Sequence, residues 1–249
     1  GTFIYERDGS FSTHAVWHRV DEGGEVRERL LQLDGPAQEV LKVNGQAQCI
    51  TGALAEQISD GQSWPARHLD AEQLGNWYDM RIVGQSRIAN RPTIVLALTP
   101  RDQHRYGFEL HLDRDTGLPL KSLLLNERGQ LLERFQFTQL DISTPVADAM
   151  QPSSNCKPVR LKPAESMADG RWRSDWLPPG FVLNTAQLRR GSAADAPVAY
   201  LMYSDGLARF SVFIEPLQGA GVEDARSQLG PTVAVSRRMS TVSGDVMVT

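Results

Sequence analysis

His14 and His18 are the one close histidine pair of the chain. On a helix, an i,i+4 pair shares a face and can hold a metal. The residues around these two alternate as a strand does, which separates them by about 13 Å at roughly 3.3 Å per residue. One ion cannot bridge that gap. His68, His104 and His111 are scattered. Gly84-Gln85-Ser86 opens like the nucleophile elbow G-x-S-x-G, but Ile88 stands where the closing glycine belongs. Asp113-Arg114-Asp115-Thr116-Gly117 opens like a calcium loop, but its glycine comes one place early and Leu124 occupies the position of the bidentate glutamate. It reads as a hairpin turn. The acid pairs Glu6/Asp8 and Asp113/Asp115 sit beside turns, where solvated carboxylates are ordinary. With no phosphate-binding glycine loop either, no catalytic residue, cofactor or metal is expected, and the chain reads as a binding protein.

The remaining polar candidates are cysteines and arginines. Cys49 and Cys156 form no CxxC and have no zinc-ligand spacing. They are either a disulfide or two buried thiols; a disulfide would pin the region of Cys156 to the strand that carries Cys49. Arginine far outnumbers lysine. Codon preference explains that, or selection of guanidinium for phosphate or carboxylate. The clustered candidates for an anionic headgroup are Arg171/Arg173, Arg189/Arg190 and Arg237/Arg238, with solvated arginines as the alternative.

These residues must be positioned by strands. The 249 residues suit two domains. Hydrophobic residues make up 41%, enough for a core, and no run approaches the roughly 20 apolar residues that span a bilayer. With neither a Met start nor a signal peptide, the chain is expected to have lost flanking segments, an export signal among them. Residues 1–152 carry 15 Lys/Arg against 21 Asp/Glu, and residues 153–249 carry 11 against 9, which gives balances of −6 and +2. Neither is the basic face that nucleic acid requires.

Period-2 alternation dominates. It predicts strands over Thr2–Arg7, His14–Val20, Glu25–Leu33, Val40–Val43, Ala47–Ile50, Tyr78–Ile88, Thr93–Leu98, Tyr106–Leu112, Leu118–Leu125 and Gln130–Leu140. Asn44-Gly45 suits a type I′ hairpin turn. Asp70 is a candidate N-cap for a short helix through Trp77, with Leu69 and Leu74 on one face. Residues 1–145 form a first domain, an antiparallel meander. Residues 146–170, rich in Pro, Ser and Asn, read as a linker. Residues 171–249 form a smaller β-rich domain, with strands over Phe181–Leu188, Ala199–Tyr203, Ala208–Ile214, Thr232–Arg237 and Gly244–Thr249 and a short helix over Glu223–Leu229. The fold class is mainly β (α+β).

Aromatic residues are the informative class that is left. Phe3, Tyr5, Trp17, Trp77, Phe108, Phe135 and Phe137 are candidates to line an apolar cleft on a curved sheet, with plain core as the alternative. In the second domain Trp176, Phe181, Tyr203, Phe210 and Phe213 are candidates for a partner. Phe210 and Phe213 are an odd number apart, so they face opposite sides of a regular strand.

Two passages carry a resemblance. One runs from Tyr106-Gly107-Phe108 through Asp113-Arg114-Asp115-Thr116-Gly117 to Leu120. The other is Tyr203-Ser204-Asp205-Gly206-Leu207-Ala208-Arg209-Phe210-Ser211-Val212-Phe213-Ile214-Glu215. With Trp176-Leu177-Pro178-Pro179-Gly180-Phe181 they resemble the RseB/MucB family of periplasmic regulators over almost the whole chain. The resemblance implies an unclosed antiparallel β-barrel of lipoprotein-carrier type with short helices, followed by a smaller β-rich domain. It implies a soluble periplasmic protein that binds the periplasmic region of a membrane-spanning anti-sigma factor and shields it from site-one proteolysis. A lipid or lipopolysaccharide-type ligand would release that partner. A homo-oligomer and a plain lipoprotein or lipid carrier remain open. The charge balance implies a disordered, acidic partner segment that adds to a sheet edge at the Asp205-Gly206 hairpin.

Overall fold

The computed structural model describes residues 1–36, 38–51, 70–159, 165–166, 172–189 and 196–249. Leu69, Arg171 and Arg190 lie outside the described residues. The chain divides into two compact units. The first gathers residues 1–67, 80–99 and 107–160; the second gathers 68–79, 100–106 and 161–249.

The first unit is built on β1 (Thr2–Arg7), β2 (Ser10–Val20), β3 (Val26–Gln32), β4 (Glu39–Val43), β5 (Gln46–Thr51), β6 (Tyr78–Ile88), β7 (Arg91–Pro100), β8 (Gly107–Asp113), β9 (Pro119–Leu125), β10 (Leu131–Gln139) and β11 (Lys157–Pro158). They form one sheet in the order β11-β5-β4-β3-β2-β1-β10-β9-β8-β7-β6. Its two end strands do not pair with each other, so it stays unclosed. The turn residues follow their chemistry. Asn44 and Gly45 both take positive φ, 50° and 80°, as a type I′ turn demands. The Asp113 carboxylate accepts from the Asp115 and Thr116 amides at 3.1 and 3.0 Å and is paired with Arg91. The bond from Arg91 holds that carboxyl well below its usual range, so the acidic loop is a structural turn.

Residues 143–159 are not a free linker. A 3-10 turn at Ala147–Met150 buries Met150. Arg19 donates to the Pro145 carbonyl at 2.7 Å and Arg29 to that of Ala149 at 2.9 Å. Glu39, 1% exposed, accepts from Arg29 at 2.7 Å and from the Ser153 amide. Burial pushes the Glu39 carboxyl up, but the bonds from Ser153 and Arg29 outweigh it and hold it below the usual range. β11 pairs with β5, and Cys49 and Cys156 are joined in a disulfide with Cα atoms 5.4 Å apart. A stretch with no periodicity of its own is thus held by groups of the sheet it crosses.

The second unit contains α1 (Ala71–Gly75), β12 (Glu165–Ser166), β13 (Val182–Arg189), β14 (Val198–Ser204), β15 (Arg209–Pro216), β16 (Ala225–Leu229), β17 (Thr232–Thr241) and β18 (Gly244–Val248). The sheet order is β12-β13-β14-β15-β18-β17-β16. Asp70 caps α1, accepting from the Glu72 and Gln73 amides at 3.0 and 3.1 Å. The expected helix over Glu223–Leu229 is instead strand β16. Its residues favour a helix weakly, and pairing with β17 from Ala225↔Ser236 to Leu229↔Thr232 overrides that preference.

Candidate functional site

In the second unit, Phe181, Ala199, Leu201, Tyr203, Ile214 and Val246 form a buried cluster, with Phe210 and Val212 packed against it. Tyr203 is opposite Phe210 and Tyr200 opposite Phe213 across β14 and β15. Phe210 and Phe213 therefore do face opposite sides. The Tyr203 and Phe210 rings stack at 5.0 Å, and Phe213 lies 5.1 Å from Tyr200. Trp176 is 63% exposed and meets His104 edge to face at 5.4 Å. Between Trp176, Leu177 and Pro178 on one side and Tyr203, Phe210 and Val212 on the other lies an apolar cavity of about 260 Å³. An apolar side chain of a partner fits a space of that kind.

Phe181, whose ring lies 5.2 Å from that of Phe210, borders a buried charge that local sequence patterns do not reveal. The Arg105 and Asp205 side chains are both fully buried, 2.6 Å apart. Arg105 also donates to both oxygens of Asp102, at 3.0 and 2.7 Å, and to the Pro179 carbonyl at 2.6 Å. Its guanidinium lies 5.6, 5.6 and 5.0 Å from the ring centres of Trp77, Tyr78 and Phe181. Asp205 accepts from Tyr78 Oη at 3.2 Å and from the Leu207 and Ala208 amides at 2.8 and 2.6 Å. Burial, and then the Asp205 charge, push the Tyr78 hydroxyl far up, so it stays a donor. Burying an ion pair is costly unless its remaining valences are met; here the neighbours meet them. Gly180 completes the arrangement, with φ of 82° and the position of an added Cβ 2.2 Å from the Trp77 indole. Arg105 and Asp205 are 100 residues apart, and nothing at either position announces the other.

At the Asp205-Gly206 hairpin β14 is interior to its sheet, whereas β18 covers β15 only from Phe213 to Pro216, so Arg209–Val212 have no strand on that side among the described residues. β14 lies between β13 and β15, and β15 between β14 and β18. The Asp205 carboxylate turns inward to Arg105 because a buried guanidinium needs a counter-charge. Trp176, Tyr203 and Phe210 meet at the cavity; Phe181 is buried beneath, and Phe213 is on the other face.

The aromatic candidates of the first unit separate in the same way. Phe3 is opposite Phe137 and Tyr5 opposite Phe135. Phe135 and Phe137 are buried with Ile88 and Leu120, and Phe3 and Tyr5 pack on them half-buried. Phe108 shares this face through Leu110↔Ser122 and Phe135↔Ser122. Trp17 does not: β2 alternates, so Trp17 projects opposite to His14, the neighbour of Phe3. Its ring instead supports Arg29, 4.9 Å away. Trp77 belongs to the second unit, beside Arg105.

The described arginines of these pairs each lie near a partner. Arg173 lies 3.9 Å from Asp175, and the Arg189 guanidinium lies 3.7 Å from the centre of the Tyr200 ring. Arg237 faces Asp224 at 3.5 Å and Arg238 faces Asp245 at 2.5 Å. Among the described residues, no group of three or more His, Cys, Asp or Glu could hold a metal.

Comparison with known proteins places this architecture. Residues 1–155 match the model of the MucB/RseB N-terminal domain, and residues 166–249 match that of the MucB/RseB C-terminal domain. The chain is 64% identical to the sigma factor AlgU regulatory protein MucB of Pseudomonas aeruginosa, over all of this chain and 79% of that protein. It is 32% identical to the sigma-E factor regulatory protein RseB of Salmonella typhimurium, over 74% of this chain and 60% of that one. Among solved structures, the Pseudomonas aeruginosa MucA/MucB complex superposes with a TM-score of 0.83 at 63% identity, covering all of this chain and 85% of that one. The relatives named here are regulatory proteins, not enzymes. With both family domains matched in order over nearly its whole length, the chain belongs to the MucB/RseB family.

Proposed function

We propose that this protein is a periplasmic negative regulator of envelope-stress sigma-factor signalling, which binds the periplasmic region of a membrane anti-sigma factor. Bound, it shields that factor from site-one proteolysis; a lipid or lipopolysaccharide-type ligand releases it. The observation that carries this reading is the whole-chain likeness, at 61% identity and a TM-score of 0.81, to MucB in complex with MucA(peri).

The cavity beside Trp176 is the proposed contact in this chain. It is apolar, partly open, and rimmed by a tryptophan left largely in solvent, the combination found where a few anchor side chains dominate affinity. The partner inserts side chains here. Release then follows from linkage: the ligand lowers affinity for the partner to the extent that it prefers the state the partner does not. Phe3, Tyr5 and Phe108, half-buried on one face of the first unit, are the proposed ligand contacts.

The test is calorimetry of the intact chain with the periplasmic region of Pseudomonas aeruginosa MucA. Tight binding is expected, and Trp176→Ala should weaken it by about 10-fold or more. Lipopolysaccharide micelles should compete. No binding of the intact chain removes the functional reading. Binding that Trp176→Ala leaves unchanged moves the contact away from this cavity.

A further inference from the structure

Two ties join the loop of residues 100–106 to the segment 176–181, both within the second unit. The first is buried. Arg105 donates to the Pro179 carbonyl at 2.6 Å and is neutralised by Asp205. Arginine is not deprotonated in proteins, so this tie is permanent. The second lies at the surface. His104, exposed, meets the ring of Trp176 edge to face with centroids 5.4 Å apart. Histidine is the side chain whose charge ordinarily changes between roughly pH 5 and 8, so a proton taken from solvent alters this tie and leaves the first as it is.

The surroundings decide what that proton does. The His104 amide donates to Asp102 Oδ1 at 3.0 Å, and Arg105 holds both oxygens of that carboxylate. The imidazole is thus presented from a loop that the buried pair keeps in place. Trp176 is fixed at its backbone by Ser174, whose hydroxyl donates to the Trp176 carbonyl, while its ring is 63% exposed. Among the described residues, the charges near the two rings are matched. Asp102 is taken up by Arg105, and Asp175, on the segment that carries Trp176, faces Arg173 at 3.9 Å. Arg101 is exposed, where solvent and salt screen it. The indole is the remaining group for a charged imidazole to meet. A cation over the face of a tryptophan, within about 6 Å of its centre, is attracted by the ring. Trp176 borders the cavity while it touches His104. Holding it there leaves less ordering to be done when a side chain enters, and preorganisation of that kind raises affinity.

We propose that His104 is a positioning residue for Trp176: its imidazole supplies the edge of the ring pair, and on protonation it clamps the indole at the rim of the cavity, so that the protein grips its partner more tightly in mildly acidic surroundings. The effect on the partner rests on the cavity being the partner contact; the clamp itself does not.

Two measurements on the intact chain keep these apart. The indole N–H resonance of Trp176, assigned by its loss in Trp176→Phe, should move as pH falls from about 7.5 to 5.5 and stay fixed in His104→Phe, which keeps a ring but takes up no proton. No partner enters this measurement. Calorimetry with the periplasmic region of Pseudomonas aeruginosa MucA should show the unmodified chain gaining about 2- to 5-fold in affinity over His104→Phe across the same pH range. His104→Arg, with a permanent cation, should hold that gain at both ends of the range. A Trp176 resonance that ignores pH, or that titrates as before in His104→Phe, overturns the clamp. An affinity that changes with pH equally in the unmodified chain and in His104→Phe overturns its effect on the partner. If MucA binds at neither pH, the reading of the cavity fails, and the resonance alone decides whether His104 positions Trp176.

Discussion

Each unit carries an aromatic cluster, and the two are secured differently. In the first, Phe3, Phe135 and Phe137 pack edge to face and tilted within 6 Å of one another on adjacent strands. Backbone pairing sets their spacing and apolar contact is enough. In the second, Phe181 rests beside a buried guanidinium, and Tyr203 and Phe210, packed with it, line a cavity open next to Trp176. A cluster that is closed off needs only area; one that must keep a cavity needs something rigid beneath it. Arg105, with four hydrogen bonds to three partners, supplies that rigidity through directional contacts.

The largest effect that would break this contrast is Arg105→Ala. It leaves Asp205 buried without its cation, and removing one partner of a buried pair costs about 3–5 kcal/mol. Hydrogen exchange should show the loss in peptides of the second unit, with the strands around Phe135 protected as before. Equal loss of protection in both units would mean that the charge supports more than its own cluster.

The disulfide is the corresponding lever on the first unit. Replacing Cys49 and Cys156 together by Ala opens a link that spans 107 residues. The expected loss is about 2–4 kcal/mol by urea denaturation, smaller than for Arg105→Ala, because Glu39, Arg29 and β11 still hold residues 143–159. A loss confined to the second unit would contradict the placement.

The smallest effect sharpens the contrast through pH. His111, 5% exposed, contacts Ser86 and Glu109 at 2.6 and 2.9 Å. Burial pulls its imidazole below the ordinary value, with Glu109 opposing and Lys121 adding to the shift. Burial lowers His14 too, against Asp34. A group depressed by folding contributes stability above its unfolded value, near 6.5 for histidine, and loses it as pH falls through the folded value. The melting temperature should therefore drop by about 2 °C or more as pH falls from 7 to 5, and His111→Gln should flatten that slope. A slope unchanged in this variant assigns the sensitivity elsewhere.

Much of this was legible in the chain. Thr2–Arg7 and Tyr78–Ile88 are strands with the bounds that alternation predicts, because side-chain period is a local property. Asn44-Gly45 and Asp70 were equally readable, since a turn and a cap are settled within four residues. The misses are long-range. Glu223–Leu229 reads as helix until β17 is beside it. Trp17 joins Phe3 in any list of aromatics, and only the β1–β2 register puts it on the other face. Residues 146–158 look like linker because proline and serine mark irregular backbone, which can still be tied down by Arg19, Arg29 and Glu39. Within the cavity, Trp176, Tyr203 and Phe210 stood out by type, whereas Arg105 gave no local signal and Asp205 read only as a hairpin residue.

The 100-residue separation of Arg105 and Asp205 also bears on the order in which the chain can fold. Contacts so distant must first overcome the entropy of closing the intervening loop, so they form late. As the chain emerges from its N-terminus, residues 68–79 and 100–106 precede the partner that neutralises Arg105 by about four-fifths of a domain of ordinary size. Until Asp205 arrives, the guanidinium must remain hydrated, and the buried arrangement around it cannot close. The second unit is therefore the last to mature, and closure of this pair reports that the chain has been made at least as far as Asp205.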